Sequence, residues 1–322
     1  MSFARQTVKH ALLTTSHYRH RLERDRFPGV AVLCYHAVRP DDWPEHTMAF
    51  EGLHVRASEL EAHCRFLKAT CHPISLGTWR AALDGGPSLP ERPVLVTFDD
   101  GYRTVATVAR PILERFGIPA ALFVCSTPVE ERTFFWYDAI AIARGEAEVQ
   151  RLKQAPFAEW HAAVCAARAP VSEGNPHAPL RVDELVTMAD SGFEIGGHTA
   201  THPILARADR DRQREEIARN QQAIRAWVDR QPAAFAYPNG ERSDYSSGTV
   251  SILRELSYDM AFTTEAGFAS GGQRLEWPRF LMLAGVSEAE LAHRLAYSWR
   301  TDASVSLRSQ VSSETSDFRL EP

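Results

Sequence analysis

Nowhere in the 322 residues is there a run of about 20 apolar side chains, so no transmembrane helix is expected. Before Phe27 the longest unbroken apolar run is Ala11-Leu12-Leu13, short of the about 7–15 residues that a secretory signal needs. Cysteine is scarce and unpatterned: Cys34, Cys64, Cys71, Cys125 and Cys165 are odd in number and include no C-x-x-C pair. A disulfide framework or a thiolate metal ribbon is therefore not expected, and reduced thiols in a cytoplasmic protein are the simplest reading. Net positive charge is also missing, since a formal charge of −5 gives no general attraction to nucleic acid phosphates. One local exception is the first 26 residues, with six Lys/Arg against two acids. Residues 1–27 are expected to form a solvated basic arm, able at most to make weak contact with an anionic membrane surface. No internal repeat is evident.

Two short stretches carry the chemistry: Thr97-Phe98-Asp99-Asp100-Gly101-Tyr102 and His198-Thr199-Ala200-Thr201-His202-Pro203. The first closes the apolar run Val94-Leu95-Val96 with two adjacent carboxylates, and the second offers two imidazoles at H-x-x-x-H spacing. Each alone has a bland explanation. Asp-Asp-Gly is common turn chemistry, and paired histidines four apart arise by chance on helices. Together, two imidazoles and one carboxylate form a ligand set suited to zinc or a similar divalent ion, with positions left open for water and substrate. The second carboxylate remains free for proton transfer.

Apolar runs and helical patterns alternate along the chain. Strands are expected at 29–35, 94–98, 120–124, 193–196, 233–237 and 259–263, and helices at 58–69, 103–116, 181–190, 209–229 and 247–256. Ser58, with Glu61 three residues on, reads as the N-cap of the first of these helices. This alternation implies an α/β domain with a mainly parallel sheet, and reactive groups at strand ends fit its carboxyl edge. The length suits one catalytic domain over residues 28–300.

The two motifs, in this order, resemble the polysaccharide deacetylase (NodB-homology) family. The resemblance runs from about Val30 to Leu283 and includes Cys34-Tyr35-His36-Ala37-Val38, Phe135-Trp136-Tyr137-Asp138, Phe235-Ala236-Tyr237-Pro238-Asn239-Gly240 and Trp277-Pro278-Arg279-Phe280. It implies a deformed (β/α) barrel and a hydrolase using one divalent metal ion, Zn2+ first and Co2+, Ni2+ or Mn2+ after it. Carried over residue by residue, it makes Asp100, His198 and His202 the metal ligands and Asp99 the general base. A backbone N–H from Tyr237-Pro238-Asn239-Gly240 would meet the developing oxyanion. There the chain departs from the family's R-x-P-Y pattern: Ala236 stands in place of the Arg and Asn239 in place of the Tyr. Arg279 is the expected substitute partner for Asp99.

The general acid is expected at the front of the chain. Leu291-Ala292-His293 matches the family's usual L-x-H string, but His293 falls inside a helical pattern opened by Ser287 and Glu290. His36 instead follows an apolar run, in a Y-H-x-V string resembling members whose acid motif lies near the N-terminus. Residues 128–180 read as a mainly helical insertion, either a packing appendage or a wall of the acceptor site with Trp136 or Tyr137 stacking on a sugar. The stretch 301–322, rich in Ser, Thr and charge, reads as a disordered tail. The expected reaction removes an N-acetyl group, in preference to an O-acetyl, from a sugar of a glycan or of a lipid- or nucleotide-linked glycan precursor. An amidase on a non-sugar amide is the alternative enzyme. A silent carbohydrate-binding relative is the alternative of another class, disfavoured because it needs neither Asp99 nor His36.

Overall fold

A computed structural model describes residues 3–298. Its centre is a curled sheet in which the strands Val30–Tyr35, Pro93–Phe98, Ala120–Val124, Glu194–Gly197, Ala234–Ala236 and Met260–Phe262 lie side by side in chain order, all parallel. Helices cover the outside, as right-handed crossovers require. The six-residue strands are buried at every position because alternate residues serve two layers. Ala31, Leu33 and Tyr35 pack outward against the helices, whereas Val30 and Val32 join Leu95, Phe123, Phe262 and Trp277 in an inner cluster. Glu194–Gly197 reaches this inner layer only through glycine, since a Cβ on Gly196 would lie 2.5 Å from the Phe123 ring.

Trp277–Leu281 closes the curl. Trp277 bridges to Phe262, donating its N–H to Ala261 O at 2.8 Å, and three residues later Phe280 and Leu281 pair in parallel with Leu33 and Cys34 of the first strand. Phe268–Ala269 adds a short antiparallel pairing at Val30 and Ala31. The result is a deformed (β/α) barrel.

Several local expectations need correction. The helix expected at 58–69 spans Ala57–Thr70, and its cap lies two residues earlier than expected: Glu59 accepts the Arg56 N–H, while Ser58 is bound to Asp41. The pattern at 103–116 forms a π-helical turn, Val105–Ala109, running into the α-helix Arg110–Phe116. The basic N-terminal segment is not a solvated arm. Phe3–Thr14 and His17–Arg24 are helices packed on the helix Glu288–Tyr297, with Tyr18 and Leu22 buried and Lys9 paired with Glu290. Its apolar residues are interleaved with charges at helical spacing, so no long apolar run announces them. The insertion is mainly helical: Trp136–Arg144, Glu146–Gln154 and Phe157–Ala167 share a cluster around Ile140, Leu152 and Trp160, while Ser126–Glu131 packs Val129 into the main core. Among the described residues no helix is long and apolar enough to cross a membrane. The stretch 301–322 lies outside the described residues.

Candidate active site

The site is assembled at the carboxyl ends of the strands. Asp99 ends its strand with its N–H on Tyr35 O at 2.9 Å, and Asp100 takes a left-handed φ of 72° that a short Asp side chain tolerates. Successive residues of an extended strand face opposite ways, so this turn is what lets both carboxyls serve one mouth. The histidines are not on a helix. They flank a tight loop after Glu194–Gly197, in which Thr199 and His202 hold φ of 67° and 60° and Thr199 Oγ1 accepts the His202 N–H at 3.0 Å.

Asp100 Oδ1 lies 3.3 Å from His198 Nε2 and 3.5 Å from His202 Nε2. Two donors each about 2.0–2.1 Å from one tetrahedral ion stand about 3.4 Å apart, so the spacing fits a shared divalent ion. The chemistry of the set agrees. His198 Nδ1 donates to Ala236 O at 2.7 Å, which directs the Nε2 lone pair at the centre. Burial and the neighbouring His198 push His202 down to about 3, which keeps it a neutral lone-pair donor. Burial would raise the Asp100 carboxyl, but the imidazoles around it hold it below the usual range.

Asp99 faces the same mouth without joining this cluster. Arg279, fully buried on the closing segment, grips it with Nη1 to Oδ1 at 2.7 Å and Nη2 to Oδ2 at 2.6 Å. Arg279 is itself fixed by Nε on Thr263 O at 2.8 Å and lies against the Phe123 and Phe262 rings. Burial would raise the Asp99 carboxyl, yet the guanidinium beside it holds it below its ordinary value of 3.8. A carboxylate offers about four lone-pair sites, of which the fork takes two and the Cys34 thiol, at 3.4 Å, a weak third.

His36 follows the end of the first strand, half-buried, with Nδ1 buried and without a protein partner among the described residues. It is an electrostatic neighbour of Asp99, Asp100, His54 and His202, so the structure brings it to the same mouth. His293 is elsewhere, its Nδ1 3.1 Å from the Tyr18 hydroxyl and its ring against Tyr297. In the segment Tyr237–Gly240, the Tyr237 N–H is bound to Phe262 O, the Gly240 N–H to Pro238 O, and Pro238 has none to give. That leaves Asn239, at φ 58°, as the residue whose amide is not so engaged. Tyr237 itself turns away, its hydroxyl on Leu275 O at 2.8 Å and its ring stacked on Tyr245.

Trp136 and Tyr137 are not exposed platforms for a sugar. Both are buried behind His202: the Trp136 indole N–H donates to His202 O at 2.9 Å, and the Tyr137 ring meets the His202 ring edge-on at 5.1 Å. Three contributors were missed from the sequence. Asn220 Oδ1 accepts the His198 N–H, Glu216 binds Thr201, and the buried His54 ring packs on Tyr102. An Asn in mid-helix, where its propensity is poor, is the one available signal.

A polysaccharide deacetylase family model matches residues 86–261. The chain belongs to the polysaccharide deacetylase family. The match takes in both carboxylates, both histidines and Tyr237–Gly240, whereas His36 and Arg279 come from the flanking segments. Among curated proteins, the chain is 27% identical over 274 residues to the poly-beta-1,6-N-acetyl-D-glucosamine N-deacetylase of Escherichia coli K12. That alignment covers 83% of this chain and 38% of the relative, so the chain spans less than two fifths of the relative's length. Among solved structures it resembles the Streptococcus pyogenes deacetylase PplD in complex with acetate, with a TM-score of 0.62 at 22% identity over 83% of this chain and 98% of that one. IcaB from Ammonifex degensii matches equally, with a TM-score of 0.62 at 22% identity over 84% and 98%. At such identity the two structures speak for the fold.

Proposed function

We propose that this chain is a metal-dependent hydrolase that removes the N-acetyl group from an amino sugar of an acetylated polysaccharide. The observation that carries the reading is the ionised Asp99, clamped by Arg279 and set beside the Asp100–His198–His202 cluster. When bound, a divalent ion on that cluster, zinc first among the candidates, supplies an acidified water and polarisation of the amide carbonyl. Asp99 keeps a lone pair outside the Arg279 fork to take the proton of the attacking water. The Asn239 N–H is the fixed donor for the oxyanion. His36, just after the end of the first strand, protonates the departing amine. A proton donor matters more for an amine than for an alcohol, and this favours an N-acetyl over an O-acetyl substrate. The activity named for the Escherichia coli relative supports a β-linked N-acetylglucosamine polymer as the substrate.

The test is acetate release from β-1,6-linked N-acetylglucosamine oligomers by the zinc-loaded chain. We expect Asp99→Asn and His36→Ala each to keep the metal and lose about 10²–10⁴ in kcat, with His293→Ala near wild type. Full activity in Asp99→Asn, or no acetate from any N-acetylated glycan while metal is bound, overturns the proposal.

A further inference from the structure

The two histidines of the cluster are held in different ways. His198 has the usual second contact for a metal-ligating imidazole, Nδ1 on a backbone carbonyl. His202 has none: its Nδ1 is buried and lacks a protein partner among the described residues. With no hydrogen bond at Nδ1, its position rests on ring contacts with Tyr137 and His198 and on its backbone. That backbone is strained, because φ is positive at Thr199, a β-branched residue, and again at His202. A strained loop persists only where its surroundings over-determine it.

Two side chains from different elements do so here. From the long helix Arg210–Val228, Glu216 accepts the Thr201 N–H at 2.8 Å on one oxygen and the Thr201 hydroxyl at 2.7 Å on the other. From the insertion, Trp136 donates its indole N–H to His202 O at 2.9 Å. Thr201, the residue before His202, and the carbonyl of His202 itself are thus gripped from both sides. We propose that Trp136 and Glu216 are positioning residues that set His202 Nε2 for the metal, and that the insertion is thereby a buttress of the metal site. The inference rests on the metal-site reading above.

Trp160 provides an internal control. It lies in the same cluster, its ring 5.8 Å from that of Trp136, but its indole nitrogen has no partner among the described residues. The experiment is titration of the full chain with Co2+, reading the dissociation constant by chelator competition and the visible absorption of the bound ion. We expect Trp136→Phe and Glu216→Gln each to weaken binding by about 10–100-fold, the cost of losing an outer-shell partner, and to alter the absorption band. Trp160→Phe should leave both unchanged. Glu216→Gln replaces one accepting oxygen with a donor, so it decides the matter if Trp136→Phe fails to fold. Wild-type affinity in Trp136→Phe or, failing that, in Glu216→Gln overturns the inference alone. Equal loss in Trp160→Phe does the same, by showing that only packing matters. Absence of Co2+ binding by the unmutated chain overturns the metal-site reading itself.

Discussion

Arg279 and Asp99 stand 180 residues apart in sequence and share a buried two-point contact. Removing one partner of a buried pair strands the other's charge, which costs about 3–5 kcal/mol. We therefore expect urea unfolding of Arg279→Ala to show a loss of stability in that range. Arg279→Lys should recover only part of the loss, because an ammonium keeps the charge but not the fork. A loss under about 1 kcal/mol would return Arg279 to the class of ordinary surface ion pairs. At this scale the contiguous residues were legible: Asp99 with Asp100, and His198 with His202, sit in strings whose order and spacing name a chemistry. Arg279 was reached only by asking what could replace a missing cation. For Trp136 the sequence leaves packing and sugar stacking open, because residue type does not say which way an indole points, and here its N–H is consumed by His202 O.

Elements were read with uneven success. The apolar runs became strands within a residue or two of the expected bounds, since a strand covered on both faces must be apolar throughout. The N-terminal helices escaped because their apolar residues are few and divided between Phe3–Thr14 and His17–Arg24. Their docking has a testable pH dependence. Burial would raise the Glu290 carboxyl, but Lys9 and Arg294 hold it below its ordinary value of 4.5. A depressed carboxylate stabilises the docked state fully above its unfolded value, and the contribution is lost as pH falls through the lower folded value. Hydrogen exchange in the segment 3–24 should therefore accelerate ahead of the barrel strands as pH drops below about 4.5. In Glu290→Gln it should be fast already at neutral pH. Unchanged protection in that variant would show that Tyr18 and Leu22 alone hold the helices down.

For the molecule as a whole, a ligand cluster built from two separate strand ends ties metal binding to global stability. At a free metal concentration about 100 times Kd, binding to the folded state alone adds about 2.7 kcal/mol, which for a domain of this size shifts Tm by roughly 4 °C. We expect chelation to lower Tm by about that amount and His202→Ala to abolish the difference. An identical Tm with and without zinc would mean that the cluster binds no ion. The barrel was legible as a class from its alternating elements, but its closure was not. Trp277–Leu281 pairs over only a few residues with strands far away in sequence, and such a stave leaves no periodic trace.

That stave also carries Arg279, with a consequence for the order of events during synthesis. The chain emerges with Asp99 and Asp100 first, then the histidines, and only after them the guanidinium that keeps Asp99 charged within the barrel. A nascent or truncated chain ending before Trp277 can present every proposed metal ligand and still lack an ionised base in its working position. The last strand of the barrel to arrive is thus a safety catch: the proposed base is not held in its working form until the barrel has shut.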